Sequence, residues 1–129
     1  MARVLALTAD LLFGSQVQGA LAAAGHEVRL LGSEHALADA LAESGGETTA
    51  LLVDLADGSL DGAGALERLR ADGRLDAVRT LAYYSHVEVE ARRRAEQAGF
   101  DLIVPRSRMA REGAGLVASL LEQATSDPA

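Results

Sequence analysis

The sequence predicts an α/β fold: a single domain built on a doubly wound parallel sheet. Three observations carry that prediction. Five short apolar runs recur along the 129 residues, and each is followed by a stretch of helical periodicity. The first, third and fifth runs are nearly continuous in hydrophobicity, as expected of parallel strands covered on both faces. Right-handed crossovers then place helices on both faces of one sheet. The length suits one domain with a core of its own. That domain is assigned to residues 1–124, and "TSDPA" (125–129) reads as a frayed tail.

The first run, "RVLAL" (3–7), is a strand. Leu11 to Ala24 follows as a helix, with Leu12, Val17, Ala20, Leu21 and Ala24 apolar and Gly25 placed as its stop. "EVRLLG" (27–32) is the second strand. Ser33 is a suitable N-cap for a helix over Glu34 to Glu43, with Leu37 and Leu41 one turn apart. "TALLVDL" (49–55) is the third strand, and Gly62 to Arg70 a helix carrying Leu66 and Leu69. "VRTLAYY" (78–84) precedes a helix over Val87 to Ala98 that ends at Gly99. "DLIVP" (101–105) precedes the last helix, Arg108 to Gln123, with Leu116, Leu120 and Leu121 on one face. Gly113 and Gly115 weaken the start of that helix.

Composition removes several function classes. Aromatics are only 3%, so the core is built from Ala, Leu and Val. The net charge of -7 disfavours wrapping a phosphate backbone, and nucleic acid is not an expected partner. No cysteine is present, which excludes disulfides, thiolate zinc sites and a cysteine nucleophile. His26, His35 and His86 show no ligand spacing, so no metal site is expected on them. The N-terminus has no secretory pattern, and no apolar run approaches the roughly 20 residues of a membrane span. A cytoplasmic protein without a membrane partner is expected. No hydrolase triad can be assembled, and the chain is read as a non-enzyme. "GSQVQG" (14–19) is not a dinucleotide fingerprint, because the turn before the first helix, "TADLL", has no glycine and no acid closes the second strand.

In a sheet of this kind chemistry gathers outside the carboxyl ends of the strands. Thr8, Ala9 and Asp10 stand there after strand one, and Gly32 and Ser33 after strand two. Asp54 to Asp57 follow strand three, Tyr84, Ser85 and His86 strand four, and Arg106 and Ser107 strand five. By local chemistry alone Asp10 is a helix N-cap, Asp57 and Asp61 are turn residues, and Asp54 caps a turn. Ser85 suits either a cap of the fourth helix or a phosphate contact.

"LLVDLADGSLDGAGALERLRA" (51–71) resembles the receiver domain of the two-component response-regulator family. Such domains have an apolar third strand ending in the phosphoacceptor aspartate, a short loop closing on Asp-Gly, and a Leu-x-x-Leu helix. Asp54, Asp61, Gly62, Leu66 and Leu69 fall on those positions. "AEQAGFDLIVPRS" (95–107) is similar to the family's Ala-Gly-Ala-Asp stretch and fifth strand. The resemblance spans residues 3–123. It implies a flavodoxin-like, five-stranded parallel sheet of order 2-1-3-4-5 with five helices, and a place in two-component or phosphorelay signalling. It also implies Asp54 as the phosphoacceptor position, with Asp10, Asp57, Tyr84, Ser85 and Arg106 on the rim of the site.

The departures lie at the chemistry. Thr8 and Ala9 stand where an acidic pair holds Mg²⁺, and Asp10 is the nearest acid. Tyr84, with Ser85 one residue later, falls on the Thr or Ser position after strand four. Arg106 replaces the lysine, Ser107 the proline after it, and Gly58 the proline of the third loop. Mg²⁺ requires several hard oxygen ligands in near-octahedral geometry, and one or two carboxylates with the Ala56 carbonyl fall short. The expected function is therefore that of an atypical receiver acting by protein–protein interaction, without Mg²⁺ or another cofactor. Asp54 is expected within salt-bridge or hydrogen-bond reach of Arg106 or Ser85, with Arg106 neutralising it and tying strand three to strand five. Two alternatives stand beside this: an active receiver phosphorylated on Asp54 with Mg²⁺, and a small-ligand-binding α/β domain.

In the family, the fourth helix, fifth strand and fifth helix form the usual docking face. Arg92, Arg93, Arg106, Arg108 and Arg111 fall on or near it, with Tyr83 or Tyr84 as an aromatic anchor. An arginine patch on an acidic domain suits an acidic protein partner. A second copy of the chain is a further candidate. The effect is expected to be delivered in trans, without an attached output domain.

Overall fold

A computed structural model describes residues 2–44, 47–56, 60–85 and 89–126. The elements alternate as expected: β1 (Arg3–Leu7), α1 (Leu11–Ala23), β2 (Glu27–Leu31), α2 (Glu34–Ser44), β3 (Thr48–Asp54), α3 (Gly62–Ala71), β4 (Arg79–Tyr84), α4 (Val89–Ala98), β5 (Leu102–Pro105) and α5 (Arg106–Ser126). All five strands are parallel and lie in the order β2-β1-β3-β4-β5. This is the flavodoxin-like arrangement. α5 starts two residues before the expected Arg108. It follows Pro105, whose fixed φ and missing N–H suit the edge of a helix. It continues to Ser126, two residues into the segment read as a tail, and 127–129 lie outside the described residues.

The alternation of side chains along the strands divides the core in two. Val4, Ala6, Ala50, Leu52, Leu81, Tyr83 and Val104 face α1 and α5, where Phe13, Val17, Leu21, Met109, Leu116, Val117 and Leu120 cover them. Leu5, Leu7, Leu51, Val53 and Ala82 face α2, α3 and α4. Each fully buried leucine contributes about 1.5–3 kcal/mol. β3 is sealed on both faces from Ala50 onward, whereas β2, at the edge, alternates between exposed and part-buried positions up to Leu30 and buries only Leu31.

Local chemistry explains the element ends. Asp10 caps α1, Ser33 caps α2 and Asp61 caps α3, each accepting a hydrogen bond from the backbone N–H three residues on. Gly25 ends α1 at φ +92°, a conformation that disfavours any side chain with a Cβ. α1 buries Val17 and Leu21 of its expected apolar positions, but Phe13 takes the inward place at its start. Phe13, Val17 and Leu21 point inward, while Leu12 is 75% exposed. No helix among the described residues is long and apolar enough to cross a membrane.

Gly62 opens α3 directly against the end of β3. A Cβ there would stand 2.5 Å from Val53 Cγ1 and 2.8 Å from Leu55 Cδ2, far inside van der Waals contact. The bare backbone lets the helix start close behind Asp54.

Candidate functional site

The site lies at the carboxyl end of the sheet, where β1, β3, β4 and β5 deliver their last residues. Asp54 ends the central strand and is only 2% exposed. Thr8, the residue after β1, donates from its Oγ1 to Asp54 Oδ2 at 2.7 Å. The Ala56 N–H donates to Asp54 Oδ1 at 2.8 Å, closing an Asx-type turn. Burial holds the Asp54 carboxyl above its ordinary value, because a charge loses its hydration there. The bonds from Thr8 and Ala56 and the nearby Arg106 charge pull the other way.

Thr8 is the hub of the rim. Its hydroxyl oxygen also accepts the Asp10 N–H at 3.0 Å. Asp10 Oδ1 accepts the Phe13 N–H at 3.0 Å, and its Oδ2 meets Arg106 Nη2 at 2.7 Å. The Arg106 guanidinium lies 4.3 Å over the Phe13 ring, a cation–π geometry. Phe13 in turn packs on Tyr83, with ring centroids 5.2 Å apart. Burial, with the Asp54 charge adding to it, pushes the Tyr83 phenol well above its ordinary value. One chain of contacts therefore runs from Asp54 through Thr8 and Asp10 to Arg106, Phe13 and Tyr83.

Two expectations are corrected. Arg106 pairs with Asp10, not with Asp54. α1 and α5 cover the same face of the sheet, so their first turns meet, and the Asp54 oxygens are taken by Thr8 and Ala56. Asp54 thus ties β3 to β1 and not to β5. Tyr83 is not an accessible docking anchor. It is 1% exposed, because its place on β4 points it into the core under α1 and α5. Tyr84 is also buried, at the end of β4 in register with Pro105.

The other expected residues fall as follows. Ser85 is half-buried just past β4. Residues 86–88, between it and the first described residue of α4, lie outside the described residues. Asp57 lies outside the described residues. Arg92 and Arg93 are exposed on α4, and Arg108 and Arg111 on α5. Each stands near an acid of its own helix: Arg92 with Glu96, Arg93 with Glu90, and both Arg108 and Arg111 with Glu112. The patch is a mixed-charge surface, less cationic than its arginines suggest. Thr8 and Phe13 were not read as site-building residues. Thr8 had a signal in its position at the rim, whereas Phe13 had none apart from its neighbours.

Thr8 and Ala9 are the residues after β1, where a receiver-type Mg²⁺ site has its acids. Among the described residues no group of three His, Asp or Glu side chains is gathered to hold a metal. Both carboxylate oxygens of Asp10 and both of Asp54 already have partners.

A comparison with protein-family models finds no match for the chain, and neither does one with curated proteins. Solved structures do match. NtrX from Brucella abortus superposes with a TM-score of 0.81 at 18% identity, over 97% of this chain and 27% of that one. The receiver domain of the TMAO respiratory response regulator TorR gives 0.80 at 16%, covering 95% and 98%. A CheY-like receiver domain protein from Methanospirillum hungatei JF-1 gives 0.79 at 17%, covering 99% of both chains. The chain has the receiver-domain fold. It spans about the whole of the isolated receiver structures and 27% of the NtrX chain.

Proposed function

We propose that this chain is a receiver-type signalling domain that acts by protein–protein contact, without Mg²⁺-dependent phosphorylation of Asp54. The observation that carries the reading is the state of the rim acids. Thr8 and Ala9 occupy the positions after β1, and the remaining acid, Asp10, is bound to Arg106 and to its own helix. A phosphoryl group arriving beside the Asp54 carboxylate would bring several negative charges together. Without a divalent ion to spread them, the transfer loses its main electrostatic support. Thr8 supplies one neutral hydroxyl where the family has acids, and that hydroxyl already serves Asp54.

A protein partner has surface to meet beside this rim. Leu11 and Leu12 are 68% and 75% exposed at the start of α1, next to Asp10. The arginines and glutamates of α4 and α5 offer a second, mixed-charge surface.

Incubation with Mg²⁺ and acetyl phosphate, followed by intact-mass measurement, tests the reading. The expected result is an unchanged mass. A prompt gain of one phosphoryl group that is lost in Asp54→Ala would establish the active-receiver alternative in its place.

A further inference from the structure

β2 forms one edge of the sheet, and its backbone groups divide by parity. The Glu27 N–H donates to the Ala2 carbonyl, and the Leu31 carbonyl accepts from the Thr8 N–H, so the odd residues bond to β1. In a parallel ladder both backbone groups of a residue point to the same side. The N–H and C=O of Val28 and Leu30 therefore point outward, to the open edge. The Val28 carbonyl is covered: the Gln18 side-chain amide, from α1, donates to it at 2.9 Å. Gly14 and Ala22, one turn before and after Gln18 on α1, are too short to screen the strand. On the α2 side of the edge stand Glu27 and Arg29, with side chains 60% and 57% exposed.

We propose that this edge receives a second copy of the chain, antiparallel and with Val28 opposite its own counterpart, and that Gln18 is the latch that keeps the edge closed. Two copies related by a two-fold axis meet with their edge strands antiparallel. A register centred on Arg29 would set that guanidinium against its own counterpart. The register centred on Val28 sets Glu27 of each copy opposite Arg29 of the other, on one face and in the closely spaced kind of pair. Charge therefore selects the Val28 register. In it the two Val28 residues exchange N–H and C=O bonds, so each carbonyl must first leave Gln18. The remaining edge is guarded by charge and by the shortness of the strand, devices that restrain unwanted strand addition. The inference goes beyond the proposed function and does not depend on the state of Asp54.

Sedimentation equilibrium of the full chain over a concentration series is the test. Gln18→Ala keeps a good helix former and is expected to self-associate at least about tenfold more tightly than wild type, because each copy frees one carbonyl for the new ladder. In that background Glu27→Arg and Arg29→Glu are each expected to stay monomeric, since like charges then face each other. Mixed in equal amounts, these two variants are expected to form a heterodimer, with opposite charges restored. A second readout does without charge variants. The chain has no cysteine, so Val28→Cys added to Gln18→Ala places one thiol at the two-fold axis, where opposed residues stand about 5.5 Å apart, within disulfide reach. Under a mild oxidant it is expected to cross-link to its counterpart faster than Arg29→Cys in the same background. Gln18→Ala that sediments as wild type does overturns the inference. So does a dimer that survives either charge reversal, or cross-linking that favours Arg29→Cys. None of these readouts involves Asp54, so the mass measurement decides the proposed function separately.

Discussion

Thr8→Val is the substitution that tests the architecture of the rim. It keeps the shape of the side chain and its Cγ2, which packs near Gly14, but deletes the hydroxyl. Two bonds are lost: the 2.7 Å bond to the buried Asp54 carboxylate and the 3.0 Å bond from the Asp10 N–H. A bond to a charged group is worth about 1.5–3 kcal/mol, and the stranded N–H adds about 1 kcal/mol. The expected loss at neutral pH is therefore about 2–4 kcal/mol, a large share of the roughly 5–15 kcal/mol that holds a domain together. In urea, with a slope near ~2 kcal/mol/M, the midpoint should fall by roughly 1–2 M at unchanged slope. The loss should also depend on pH. The Asp54 carboxyl is raised above 3.8 by burial. Between that value and its folded value the native state holds more protons than the unfolded chain, so its contribution weakens as pH rises through the window. Removing the Thr8 bond raises the folded value further, because that bond favours the charged form. The deficit of Thr8→Val should be smallest below 3.8, where Asp54 is protonated in both states, and grow towards neutrality. A deficit under about 1 kcal/mol, or one that does not change with pH, would refute the claim that Thr8 stabilises an ionised Asp54.

Asp54→Asn should lose the decline in stability between acid and neutral conditions, because it removes the ionisation that burial penalises; urea melts across that range check it. Gly62→Ala should cost about 1–3 kcal/mol by overpacking Val53 and Leu55, read as a lower thermal midpoint; an unchanged midpoint would show that α3 can shift freely. Reversing the charge of Arg92 and Arg93 should weaken binding to an acidic protein partner, with an effect that fades as salt rises; equal binding by the reversed protein at low salt would remove α4 from the docking surface.

Most of the fold was legible in the sequence because it is written in short-range signals. Strand-length apolar runs, Leu37–Leu41 and Leu66–Leu69 spacings, and caps at Asp10, Ser33 and Gly25 each depend on neighbours within a turn or two. The place of Asp54 on the rim was legible for the same reason: a lone acid ending a buried run marks where a central strand leaves the sheet. The inward residue at the start of α1 was not. Leu11, Leu12 and Phe13 are consecutive apolar residues, and each step turns a helix by about 100°, so composition leaves the phase open.

By itself, then, the sequence determined the order of elements, the parallel winding that follows from it, and the residues that reach the carboxyl rim. Only the tertiary structure decided how those residues pair. Seating α1 and α5 on one face brought Asp10 to Arg106 and Phe13 beneath the guanidinium, while β1 beside β3 brought the Thr8 hydroxyl to Asp54. Several charged and polar groups arrive at that rim, and any two opposite charges attract at such range. Which of them bond is settled by angstrom-scale distances and by the direction in which each strand and helix end aims its side chain.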